Sequence, residues 1–107
     1  MSTVTPVTDA SFATEVLSSA QPVLVDYWAD WCVPCKQLSP IVEELAKQYD
    51  GQIKFVSVDT NENTAVMAAQ DIRTLPTVHI FDKGQIVKSM VGSVTKMKLR
   101  QALDSVI

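Results

Sequence analysis

Trp28-Ala29-Asp30-Trp31-Cys32-Val33-Pro34-Cys35-Lys36 holds both cysteines and both tryptophans of a chain of 107 residues. On its N-terminal side, Val23-Leu24-Val25-Asp26-Tyr27-Trp28 is an apolar run interrupted by one carboxylate. A run of this kind reads as a central strand covered on both faces. On its C-terminal side, Leu38, Ile41, Val42, Leu45 and Ala46 recur at helical spacing between Gln37 and Tyr49, while Glu43, Glu44, Lys47 and Gln48 take the opposite face. Two thiols at positions i and i+3 therefore sit where a strand hands over to a helix. That is the sequence setting of a redox device.

The spacing carries the chemistry. Residues i and i+3 share a helix face, with Cβ atoms about 5–6 Å apart, so Cys32 and Cys35 are within reach of a reversible disulfide. At a helix N-terminus the unpaired backbone N–H groups and the dipole favour negative charge. Cys32, placed there, is the candidate nucleophilic thiolate. Cys35, one turn inside, is the candidate resolving thiol. Pro34 suits the first turn, where a missing N–H costs nothing, and Lys36 adds a positive charge beside the thiols. A zinc site takes four ligands as a rule, and beyond the two thiols this chain offers only His79. A purely structural disulfide here would close a tiny loop in a chain long enough to fold without staples.

Further along the chain the pattern alternates. Thr8 or Asp9 is positioned to cap a first helix with Phe12, Val16 and Leu17 turned inward. Pro40 is expected to kink the long helix, and Gly51 suits a left-handed cap. Ile53 to Asp59 reads as a strand, Thr64 to Gln70 as a short helix with Met67 as core filler. Pro76 opens a strand that Val78-His79-Ile80-Phe81 continues. Asp82-Lys83-Gly84-Gln85 is a hairpin turn and Ile86 to Val91 the returning strand. Ser93 or Thr95 caps a last helix whose Leu99, Ala102, Leu103 and Val106 face inward. His79 reads as structural. Asp26, a carboxylate in a buried strand, carries a desolvation penalty that raises its pKa. From the residues alone, a proton-transfer role and a hydrogen-bonded structural role for it stay equally open.

Composition narrows the function classes. The chain is 47% hydrophobic, enough for a core without metals or multiple disulfides, and its length fits a single domain over 1–107. Twelve acidic against nine basic residues, net −3, with no basic cluster, argue against nucleic acid as a partner. Met1-Ser2-Thr3-Val4-Thr5-Pro6 lacks the pattern of a signal peptide, and the apolar runs are too short to span a membrane. A monomer in the reducing cytoplasm is the expectation.

The stretch 28–36, Val25-Asp26-Tyr27 before it, Ile72-Arg73-Thr74-Leu75-Pro76-Thr77 further on and Val91-Gly92 near the end together resemble the thioredoxin family, in order and over essentially the whole chain. The resemblance implies a thioredoxin fold, a mixed central β-sheet with helices on both faces. It implies a protein disulfide reductase working by dithiol–disulfide exchange through Cys32 and Cys35, with Asp26 as the buried acid serving the inner thiol. It implies a cis Pro76 packed against the disulfide, and an apolar, largely backbone-lined docking surface of Trp31, Pro34, Thr74, Leu75, Pro76, Val91 and Gly92. It implies no bound cofactor. Electrons would come from NADPH only indirectly, through a separate flavin-containing thioredoxin reductase, and would pass to disulfide-containing client proteins.

Some positions depart from the family pattern. Val33 stands where glycine is usual, and residues between the thiols tune thiol pKa and redox poise. Ser57 stands where many bacterial members have lysine near the buried acid. Without that charge, Asp26 is expected to hold its proton more readily. Thr74 and Asp71 replace residues that are commonly glycine. Alternative readings are a more oxidising disulfide oxidase or isomerase of the same fold, a glutathione-dependent glutaredoxin, and a scaffold subunit that does not use its thiols.

Overall fold

A computed structural model describes residues 3–107. Met1 and Ser2, which open the stretch read above for a leader, lie outside the described residues. The elements in order are β1 (Val4–Pro6), a π-helical turn (Ala13–Leu17), β2 (Val23–Trp28), α1 (Val33–Gln48), β3 (Lys54–Asp59), α2 (Thr64–Ala69), β4 (Thr77–Asp82), β5 (Gln85–Val91) and α3 (Lys96–Asp104). The five strands form one sheet in the order β1-β3-β2-β4-β5. The first three run parallel, and β4 and β5 are antiparallel additions.

The apolar run Val23–Trp28 is the middle strand, as its two-sided hydrophobicity requires. Period-2 alternation divides its side chains between two layers. Leu24 joins Leu38, Val42 and Leu45 of α1 and Leu99 and Leu103 of α3 on one face. Val23, Val25 and Tyr27 join Phe12, Val16, Val66 and Ile72 on the other. Asp26 follows the alternation onto the α1 face. His79 is buried with its Nδ1 3.1 Å from the Tyr27 hydroxyl, and its ring meets those of Tyr27 and Phe81 edge-on.

The long helix runs from Val33, ahead of the amphipathic pattern at Gln37, with Cys32 as its N-cap and Cys35 in its first turn, as the placement of Cys32 at a helix N-terminus expects. Pro40 lies inside this helix, where the sequence places it. Several local expectations need correction. The segment after Thr8 forms turns and a five-residue π-helix rather than a regular helix, and Leu17 is exposed. Asp9 does not cap that segment. Its carboxylate instead accepts hydrogen bonds from the backbone of Val66 and Ala65, so it caps α2 from across the fold. β1 has no counterpart in the sequence reading, because three residues with one buried side chain carry no period. Thr95, not Ser93, caps α3 by accepting from the Lys98 N–H.

Candidate active site

The strand–helix junction places Cys32 as the N-cap of α1 in extended conformation, with Pro34 just inside the helix. The Cys35 backbone N–H donates to Cys32 Sγ at 3.2 Å, so a first-turn donor of the helix is aimed at the outer sulfur. The two cysteines are joined in a disulfide with Cα atoms 5.3 Å apart. Both are buried. Ala29, Leu75 and Trp28 pack around them. Beside the buried disulfide lie exposed residues, with Trp31 66% and Val33 62% accessible.

Leu75 is carried to the disulfide by the loop before β4. The Leu75–Pro76 peptide bond is cis, and Pro76 is buried. The carbonyl of Pro76 accepts from the Gly92 N–H at 2.8 Å, and Thr77 pairs with Val91 in the β4–β5 ladder. Thr74 is fixed from behind, its carbonyl accepting from the Thr77 hydroxyl. Thr74, Leu75, Pro76, Val91 and Gly92, from two separate parts of the sequence, thus form one rim. Val91 projects from it, 62% exposed. Pro34 lies on the α1 side, sharing a shallow groove with Ser93 and Val94.

Beneath Cys35 a cleft of about 230 Å³ runs between β2, β3 and α1, lined by Asp26, Ser57, Cys35, Lys36 and Ser39 among others. Burial in this mainly apolar setting pushes the Asp26 carboxyl up to about 7. Its Oδ1 is buried without a hydrogen-bond partner. Asp26 and Ser57 are register partners on β2 and β3, so Ser57 occupies the place from which a longer basic side chain would reach the carboxylate. Lys36 reaches the same cleft from α1. Ser57 and Asp26 thus form a lower tier, separate from that rim. Asp71 has φ +56, the left-handed backbone region glycine favours, and its carboxylate pairs with Arg73 on the surface.

Residues 60–63 connect β3 to α2. In the structure they grip the active-site loop. Thr60 donates to the Trp28 carbonyl through both N–H and hydroxyl. Asn61 accepts from the Trp31 indole N–H and donates to the Asp30 carboxylate. These partners are about thirty positions apart, so local sequence carries no signal for them.

The chain matches the thioredoxin family model over residues 3–105. It is 50% identical over 104 residues to thioredoxin 1 of Synechococcus elongatus, covering 97% of each chain. It is equally similar, with the same coverage, to thioredoxin 1 of a Nostoc species. It is 40% identical over 99 residues to a thioredoxin of Pseudomonas aeruginosa, covering 92% of each chain.

Proposed function

Because the chain belongs to the thioredoxin family of protein disulfide oxidoreductases, we propose that its dithiol–disulfide exchange divides into an attack by Cys32 and a resolution by Cys35 assisted by Asp26. In the reduced protein the Cys32 thiolate attacks one sulfur of a client disulfide. The client S–S bond breaks, one client thiolate leaves, and a Cys32–client mixed disulfide forms. The Cys35 thiol then gives its proton to Asp26 and attacks Cys32 Sγ. The second client thiolate leaves, the Cys32–Cys35 disulfide closes, and two electrons have passed to the client. The observation that carries this reading is the shared cleft. Cys35 and an unpartnered buried carboxyl line it together, and a carboxyl poised near pH 7 both takes and returns a proton.

The rim of Trp31, Pro34, Thr74, Leu75, Pro76, Val91 and Gly92 is the docking face in this reading. It offers apolar surface and backbone groups beside the sulfurs, a combination that pairs with an extended client segment and reads little of its sequence. Val33, Lys36 and Ser57 tune the couple. Members of the family are generally reduced by a thioredoxin reductase and act on disulfide-bearing proteins. For this chain we take the donor to be a flavin-containing, NADPH-dependent reductase, the setting to be the reducing cytoplasm, and the working form to be a monomer. The cysteine pair is itself the redox group.

Trapping separates the two thiols. Cys35→Ser is expected to accumulate mixed disulfides with clients, and Cys32→Ser to accumulate none. Asp26→Asn is expected to slow release of the mixed disulfide about a hundredfold, within the usual range for a positioned proton acceptor. An undiminished release rate in that variant overturns the role given to Asp26.

A further inference from the structure

Trp31 adjoins Cys32 and is the large side chain most prominently displayed beside the disulfide, yet a tryptophan so exposed has little packing to hold it. What holds it is a polar clasp. Its indole Nε1–H donates to Asn61 Oδ1 at 3.2 Å, and Asn61 Nδ2 donates to Asp30 Oδ1 at 3.2 Å. The chemistry of the partners fixes the orientation of the amide. An indole N–H only donates and an ionised carboxylate only accepts, so the amide oxygen must face Trp31 and the amide nitrogen must face Asp30. The clasp is anchored in turn, because the Asn61 backbone N–H donates to Asp59 Oδ1 at 3.0 Å. The amide fills the two roles from two different atoms, accepting from the indole through Oδ1 and donating to the carboxylate through Nδ2. An aspartate at position 61 keeps the acceptor but loses the donor, and sets two like charges against each other across the gap the amide now bridges.

We propose that Asn61 is a positioning residue for client docking, bridging Trp31 to Asp30 so that the indole stands in a fixed pose beside Cys32. The inference rests on the reading of Trp31 as part of the docking face. Asn61 touches no reacting atom. Its effect is on how a protein client seats, not on the sulfur chemistry that follows. A large protein disulfide should therefore feel its loss, and a disulfide too small to need the docking face should not.

The test is steady-state reduction of two probes, insulin and 2-hydroxyethyl disulfide, with dithiothreitol as the electron source. Removing one bridge of ordinary hydrogen-bond strength corresponds to about a fivefold change in binding. Asn61→Ala is thus expected to raise KM for insulin about fivefold, leave kcat within about twofold, and leave the rate with 2-hydroxyethyl disulfide unchanged. Asn61→Asp is expected to impair insulin reduction similarly. The swap Asp30→Asn with Asn61→Asp rebuilds the clasp with donor and acceptor exchanged, and is expected to return KM to within about twofold of the parent. Trp31→Ala separates this proposal from the reading beneath it. If Trp31→Ala leaves KM for insulin unchanged, the docking reading of Trp31 falls and the proposal with it. If Trp31→Ala raises KM and Asn61→Ala does not, only the role of Asn61 is overturned. Equal losses on both probes, or a swap that fails to rescue, also overturn it, because a general disturbance of the loop would behave in that way.

Discussion

At the scale of single residues, Asp26 is the group whose environment does most to its chemistry. Burial lifts its pKa from the ordinary carboxylate range to about 7, so between about pH 4 and 7 the folded protein holds a proton that the unfolded chain releases. With the folded state binding more protons, unfolding free energy falls as pH rises through that window, and the full penalty is present above it. On the conversion of about 1.4 kcal/mol per pKa unit, the loss for the oxidised protein is on the order of 4 kcal/mol. Urea unfolding at pH 5 and pH 8 reads about two pKa units of that window, on the order of 3 kcal/mol, and Asp26→Asn is expected to flatten the slope and to be the more stable protein at pH 8. A stability that does not fall between the two pH values contradicts a proton held on Asp26. The neighbouring Ser57 gives a second check on the same cleft. Ser57→Lys places a cation beside the carboxylate and is expected to lower the Asp26 pKa, read by NMR titration of the carboxyl carbon; an unmoved midpoint rules the pairing out. That Asp26 is buried was legible in the sequence from its apolar neighbours. That one of its oxygens is unpartnered and that it lines one cleft with Cys35 was not, because both facts depend on how α1 lies over β2.

Among the elements, the hairpin and the capped helix show how local chemistry and distant contacts share the work. Lys83 and Gly84 both have positive φ, and they form the two-residue turn between β4 and β5. Gly84 is required twice over, since a Cβ there would come within 2.8 Å of the Leu17 carbonyl oxygen. Gly84→Ala is expected to cost about 1–3 kcal/mol through backbone strain and displacement of the segment at Leu17, measured by urea unfolding. An effect below 0.5 kcal/mol would mean that the contact relaxes freely. The turn type could be read from the sequence, but its collision partner could not. α2 gives the complementary case. Its own N-cap, Asn63, makes no capping hydrogen bond, and the Asp9 carboxylate serves instead. Asp9→Ala is expected to cost about 1 kcal/mol and to speed amide exchange in α2 more than in α1. Uniform exchange changes would place the effect elsewhere. The sequence offered Thr8 or Asp9 as the cap of the first helical segment; Thr8 Oγ1 accepts from the Ser11 N–H there, whereas Asp9 caps α2, because a cap from another element leaves no local spacing to read.

For the whole molecule, one sheet with helices on both faces holds the thiols, the rim and the acid in fixed relation. Two apolar layers meet the sheet, and the first joins α1 and α3 through Leu99, Leu103 and Leu45 to Leu24, all of them fully buried. The working direction of the cysteine pair belongs to this assembly as a whole, because the helix terminus and the cleft both adjoin the thiols and, in the reading proposed above, Val33 tunes them. As a reductase, the protein is expected to show a Cys32–Cys35 potential below about −220 mV when equilibrated against glutathione and dithiothreitol buffers. A value well above that would make the pair an acceptor of electrons from proteins and would revive the oxidase reading. The sequence by itself determined the order of strands and helices from Val23 onward, the central strand, the thiol pair at a helix start and the buried acid. Those properties rest on periodicity and on residues close together in the chain, where a side chain's neighbours are set by spacing. Only the tertiary structure decided that β1 exists, that Asp9 caps α2, that Asn61 clasps Trp31 to Asp30, and that Asp26 and Cys35 share one cleft. Each of these joins residues that are distant in the chain or belong to different elements, and such contacts are chosen by packing and burial of the folded chain rather than by any local preference.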